Sequence, residues 1–386
     1  MLSLAILTPN AFAEEGIEQL AQESGLFKVV FKASPATPAP VILRNLAVHD
    51  PEVILLDVGD WETIGPLAEQ IRDSDFRAAV IGFGPGGNSP EHAFLAEAGI
   101  FHVVPEVFSP AELESAAYEA VHHKRPVTHS NILAFLPAKA GSGCSTVALN
   151  TAGVLAKSAH KKVLLIEADR RSGVLSIMLN VQPRHPLAEA LAHISDMTQV
   201  EWNEYYLSLS SLHLLLADPA RRGKSPTWVD YYHLLHFVQK QYDFVCIDLP
   251  EIVNEATAEL VRSARGVFVV CTPEIPSLKM AGYRCAELEA CEIRPENIHI
   301  VLNRWEPDRL SIEDVEKILE RPVFGTVPND YLKVKDAIVD SQLVTADSSF
   351  TDGCRKLAQK FGGLAEEPAP VKSKFASLLR LGRLAH

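Results

Sequence analysis

Lys139-Ala140-Gly141-Ser142-Gly143-Cys144-Ser145-Thr146 is the stretch on which the reading of this chain turns. An apolar, strand-like run precedes it, from Ile132 to Leu136, and a helix-like run follows, from Ser145 to Lys157. Small residues at 140–143 let backbone N–H groups turn inward around a polyphosphate, and Ser145 falls where a hydroxyl can ligate Mg²⁺. A phosphate loop ordinarily ends Gly-Lys-Ser/Thr, with the lysine reaching the β- and γ-phosphates. Here Cys144 holds that position and brings no positive charge. Lys139, at the start of the loop, is the remaining cation. Taken alone, the stretch also fits a tight strand–helix turn with Lys139 in solvent.

Three later segments weigh against the bare turn. Lys162 to Asp169 is an apolar strand ending in Glu167 and Asp169, which strand alternation places on one side. Acids at a strand's carboxyl end beside a phosphate loop suit Mg²⁺ and a water nucleophile. Tyr242 to Pro250 is another apolar run, and Asp248 near its end suits the Mg²⁺ shell. Val267 to Thr272 and then Val301-Leu302-Asn303-Arg304 complete the series. Asn303 at a strand end offers both an acceptor and a donor to an adenine edge. Polar groups in this order, each after an apolar strand, predict a nucleotide site.

With these residues in view, the chain resembles the deviant Walker A ATPases of the MinD/ParA class, whose signature lysine is matched by Lys139. The match runs on through Asn150, Glu167 and Asp169, Asp248, Pro273-Glu274, Asn303 and Val327-Pro328-Asn329-Asp330, and covers about residues 131 to 362. Within that class it is most similar to the CpaE/TadZ proteins of Flp (Tad) pilus assembly, which join a receiver-like domain to this ATPase domain. The resemblance implies a P-loop fold with ATP and Mg²⁺ as cofactors. It also implies a homodimer in which Lys139 reaches the partner's nucleotide, and pilus-assembly proteins as partners. Lys139 and Asp169 would be catalytic, Asp169 orienting water. Lys139 to Thr146 and Asn303 would bind the nucleotide, and Ser145, Glu167 and Asp248 would serve the metal. Where the family has Gly and Lys, this chain has Ala140 and Cys144. Loss of the loop lysine removes charge from a transferring phosphoryl group, so hydrolysis is expected to be slow or absent.

The chain has 386 residues and 47% apolar content, enough for two domains with sizeable cores. Its net charge of −13 disfavours general nucleic-acid binding. That argues against a partitioning ATPase acting on DNA, the main alternative within the class; a scaffold without turnover is the other. Cys144, Cys246, Cys271, Cys285, Cys291 and Cys354 show no metal or disulfide spacing, which fits a reducing cytosol; the resemblance implies a cytoplasmic protein, peripheral at the inner membrane or cell pole. Ala11-Phe12-Ala13 mimics a signal-peptidase site, but the run before it lacks a basic segment and reads as a first strand, Leu2 to Leu7. No run is long and apolar enough to span a membrane.

Residues 1–124 alternate strand-like and helix-like patterns. Leu2–Leu7, Phe27–Phe31, Val53–Leu56, Ala79–Phe83 and Phe101–Val104 predict strands, and Pro110 to His122 a final helix. Five such units predict a flavodoxin-like, receiver-like α/β domain ahead of the P-loop domain. Asp57 ends the third strand, where a receiver carries its phosphate. Thr8, Pro9 and Asn10 stand where Mg²⁺-binding acids are needed, and Pro105 where a lysine is needed, so the receiver chemistry is expected to be lost. Gly84-Pro85-Gly86-Gly87 reads as a turn, and His122-His123-Lys124-Arg125-Pro126 to Ser130 as a linker. The P-loop domain is expected over 131–365. Arg221, Arg222 and Lys224 form a basic trio in its middle, read as a solvated loop. After a flexible break at Glu366-Glu367-Pro368-Ala369-Pro370, residues 371–386 place Val371, Phe375, Leu378, Leu379 and Leu381 on one face. Lys372, Lys374, Arg380 and Arg383 flank them. That is the pattern of an amphipathic helix for the membrane surface or a partner.

Overall fold

The computed structural model describes residues 1–74, 76–85, 93–123, 130–158, 161–307 and 310–361. The amphipathic tail, the break before it, most of the 122–130 linker and Gly86-Gly87 lie outside them. The chain divides into two compact units, Met1–His129 with Pro226–His233, and Ser130–Ser225 with Leu234–His386. Among the described residues no helix is long and apolar enough to cross a membrane.

In the first unit, β1 (Leu2–Leu7), β2 (Phe27–Ala33), β3 (Val53–Asp57), β4 (Ala79–Gly84) and β5 (His102–Pro105) form a parallel sheet in the order β2-β1-β3-β4-β5. This is the flavodoxin-like order. The central strands are continuous apolar runs because helices cover both faces. Leu4, Ile6 and Leu55 pack with Ile17, Leu113 and Ala117 on one face, while Ala5, Leu7, Ile54 and Leu56 meet Ile42, Leu46 and Leu67 on the other. Local signals set the helix ends. Asn10 accepts from the N–H of Phe12 and Ala13, and Gly25 closes the first helix in the left-handed region at φ 67°.

Residues 226–233, which the sequence reading assigned to the second domain, complete this unit. Trp228 and Val229 join its core, and His233 Nε2 lies 2.8 Å from Glu52 Oε1. Burial works against the Glu52 charge, but hydrogen bonds from His233 and Ser3 more than offset it and hold the carboxyl below its ordinary value.

The second unit is built on β6 (Ile132–Pro137), β7 (Val163–Glu167), β8 (Leu207–Leu209), β9 (Leu212–Leu215), β10 (Phe244–Asp248), β11 (Gly266–Cys271), β12 (Ile298–Trp305) and β13 (Val323–Pro328). Their order is β13-β12-β11-β6-β10-β7-β9-β8, parallel throughout except that β8 runs against β9. In this register Asp248 lies opposite both Phe135 and Glu167, so the ends of β6, β7 and β10 reach one edge together. The helix Cys144–Ser158 buries Ala148, Leu149, Ala152 and Leu155 against the sheet core. Asn150 on that helix accepts from the N–H of Val344 at 2.9 Å, tying a distant segment to it. The basic trio is partly neutralised on the spot, since Arg221 pairs with Asp218 and Glu189.

A polar chain crosses the edge of this sheet. Trp202 Nε1 donates to Tyr242 Oη at 3.0 Å, and Tyr242 Oη lies 2.9 Å from His213 Nδ1. Tyr242 Oη can accept from Trp202 and still donate its proton to an unprotonated Nδ1 of a neutral His213. Burial, with Lys162 adding repulsion, lowers the His213 pKa to about 4 from 6.5. Between those values the unfolded chain holds more protons than the folded one, so stability falls as pH drops from about 6.5 towards 4. The thermal midpoint of wild type should therefore fall more steeply over that window than that of His213→Asn. Parallel slopes for the two proteins would refute the assignment.

Candidate nucleotide-binding site

The loop between β6 and the helix Cys144–Ser158 is shaped by two glycines. Gly141 and Gly143 have φ of 81° and 82°, a region that side chains with a Cβ rarely adopt. Ser142 N donates to Lys139 O at 3.2 Å, and the first helical bond runs from Val147 N to Gly143 O at 3.0 Å. The remaining N–H groups at the helix start are left for a ligand, and the helix dipole favours an anion there. A Cβ on Gly141 would meet nothing within 4 Å, so that side of the loop is open. Lys139 is partly exposed and forms no ion pair among the described residues. Ala140 N donates to Glu251 Oε2 at 2.9 Å.

Asp248 lies under the loop, 2% exposed, beside the Ser145 hydroxyl and the Cys144 thiol. Its Oδ1 is buried and has no hydrogen-bond partner among the described residues. Burial raises its pKa to about 7, with Glu167 and Asp169 adding to the rise and Ser145 and Cys144 pulling against it. A buried carboxylate oxygen without a donor is costly unless a cation or water completes it. Ser145 and Asp248 therefore fit Mg²⁺. No group of three or more His, Cys, Asp or Glu gathers to hold a metal among the described residues. Mg²⁺ takes one or two protein ligands and completes its shell with phosphate oxygens and water.

The metal role expected of Glu167 gives way to a structural one. Its Oε1 accepts from Leu175 N at 2.7 Å and its Oε2 from Ala217 N at 3.0 Å, with Val174 N contributing as well. Both oxygens are thus committed to backbone. Burial still raises its pKa, to about 7, against those three hydrogen bonds. The bond network explains Gly173, where a Cβ would come within 2.7 Å of Glu167 Cδ. Asp169 is partly exposed, and its Oδ1 accepts from the N–H groups of Arg171 and Ser172 at 3.0 and 2.8 Å.

Asn303 also differs from its expected use at an adenine edge. Its Nδ2 donates to Ser142 O at 2.8 Å, while its Oδ1 is buried and unpartnered among the described residues. In this geometry Asn303 supports the loop rather than presenting its donor to a base. A cavity of about 280 Å³ opens next to it, lined by Gly143, Thr146, Asn303, Pro328, Asn329 and Tyr331 among others. Gly143, Thr146, Asn303 and the run Val327 to Asp330 were marked in the sequence, whereas Tyr331 was not. In the first unit, Asp57 accepts from the Thr8 hydroxyl at 2.7 Å and from Gly59 N at 3.0 Å, so both its oxygens are engaged.

Residues 130–284 match the family described as AAA domain. Septum site-determining protein MinD of Thermotoga maritima is 24% identical over 64% of this chain and 93% of its own length. An uncharacterized ATP-binding protein of Methanocaldococcus jannaschii is 28% identical over the same shares, 64% and 93%. Among solved structures, a ParA family ATPase from Chlorobium tepidum superposes with a TM-score of 0.56 at 21% identity, over 60% of this chain and 99% of that one. The Aquifex aeolicus MinC:MinD complex gives 0.52 at 22% identity, over 62% and 98%. These likenesses give the second unit the fold of MinD and ParA proteins.

Proposed function

We propose that this protein binds ATP with Mg²⁺ and uses the nucleotide as a dimerisation switch that positions an assembly in the cell, with Flp (Tad) pilus biogenesis as that assembly. The observation that carries the nucleotide reading is the open glycine loop with the unpartnered Oδ1 of Asp248 beneath it. The nearby cavity of about 280 Å³ has room for a nucleoside. The N–H groups of residues 141 and 143–146 would cradle the phosphates. Ser145 and Asp248 would hold the metal, which when bound neutralises phosphate charge. Asp169 would orient water, and Lys139 would reach across to a second copy's nucleotide. The likeness to MinD and ParA proteins supports a positioning role, and the resemblance to CpaE/TadZ proteins supports the pilus.

In this reading the first unit acts through contacts, consistent with the engaged Asp57 carboxylate. The tail at 371–386 would add weak attraction to an inner-membrane surface, and two copies on one dimer would bind far more tightly because the second engagement is intramolecular. Cys144 favours a second form of the same reading, a nucleotide-bound scaffold with little turnover. In either form, Mg²⁺ with a non-hydrolysable ATP analogue should convert monomer to dimer in light-scattering chromatography. Lys139→Ala should still bind nucleotide yet stay monomeric, and in cells it should remove surface pili. A Lys139→Ala protein that dimerises as well as wild type would overturn the switch.

A further inference from the structure

Glu251 follows β10 and places a carboxylate on the phosphate loop itself. One oxygen, Oε2, accepts from Ala140 N at 2.9 Å, and the other, Oε1, lies 3.3 Å from Arg284 Nη2. Arg284 projects from the helix Ile275–Ala290, and its side chain is only 8% exposed. Its Nη1 is anchored on Glu287 Oε2 at 2.6 Å, and its Nε is buried without a partner among the described residues. The guanidinium therefore stays in place if Glu251 leaves, with donors to spare. In front of the adjoining Gly141 there is open space.

A carboxylate and a phosphoryl group present oxygens of similar bite to guanidinium and backbone donors. From this arrangement we propose that Glu251 is a built-in placeholder for the terminal phosphoryl group of a nucleoside triphosphate, and that Arg284 is the cation that binds that group once Glu251 swings away. The inference rests on the nucleotide reading and extends it. It also accounts for the charge missing at Cys144, since Arg284 supplies a fixed cation near the loop from within the same chain. A diphosphate, shorter by that one group, would leave Glu251 in place. The pair Glu251–Arg284 thus separates the triphosphate from the diphosphate.

Calorimetric titration of the full chain with Mg-ADP and with a non-hydrolysable Mg-ATP analogue tests this. Glu251→Gln removes the competing charge on a partly exposed side chain. It should tighten the triphosphate analogue about tenfold and leave ADP within about twofold, as expected for loss of one charge-assisted contact. Arg284→Gln should weaken the triphosphate analogue about tenfold with little change in ADP. The double variant should lose the gain seen in Glu251→Gln, which guards against a folding defect in Arg284→Gln alone. Glu251→Gln with an unchanged ratio of triphosphate to diphosphate affinity, in a protein that binds ADP, overturns this inference and leaves the nucleotide reading intact. No binding of either nucleotide by wild type and variants overturns both.

Discussion

Cys144→Lys should raise ATP turnover by about 10²-fold, the scale on which a single transition-state donor acts. Cys144 is the first residue of the helix after the loop and is 5% exposed. Burial pushes its thiol well above the ordinary value, and the nearby Asp248 charge adds to this. The side chain is thus a neutral, buried group at the position where a phosphate loop usually places an ammonium. Charge that builds on the transferring group meets backbone dipoles there but no fixed cation from this residue. A lysine would restore that cation and would also hold Asp248 in its charged form. Cys144→Ala supplies the control, because a neutral thiol contributes nothing that alanine lacks in this respect. Phosphate release at saturating ATP is the measurement. A wild-type rate already equal to that of Cys144→Lys would sink the argument about the missing charge.

The phosphate loop was legible in the sequence because glycine alone tolerates the φ of 81° and 82° that its turns require. The strands were legible because buried parallel strands read as continuous apolar runs, as in β1 and β10. What the sequence withheld was the choice of partner. Glu167 ends its strand beside the loop as a metal ligand would, yet its oxygens take the N–H groups of residues 174, 175 and 217, which no local pattern foretells. Asn303 offers the same amide to a base or to a carbonyl, and only the fold brings Ser142 O within 2.8 Å. The placement of residues 226–233 was hidden for a different reason. The helix Trp228–Val238 carries Trp228, Val229, Tyr231, Tyr232, Leu234, Leu235, Phe237 and Val238, so its sequence is apolar around much of its circumference. A helix without one clear apolar stripe gives periodicity nothing to read.

Gly143→Ala should abolish nucleotide binding and lower stability even without ligand. Two costs fall on the same residue. A non-glycine residue at φ of 82° is strained by about 1–2 kcal/mol. The added Cβ would also stand 2.4 Å from Asn303 Nδ2, far inside contact distance. Relief requires Asn303 to swing off Ser142 O or the loop to shift. The first leaves a buried donor and acceptor unpaired, at about 1–3 kcal/mol. The second moves the N–H groups that would hold the phosphates. Gly141→Ala separates the two effects, because its φ is 81° but its Cβ would meet nothing within 4 Å. It should therefore carry the backbone cost alone and lose less stability than Gly143→Ala by about the second increment. Denaturant titrations of both variants give the difference, and the ligand-induced shift in thermal midpoint reports the loop. Equal destabilisation by the two substitutions would mean that the Asn303–Ser142 contact does not hold the loop in solution.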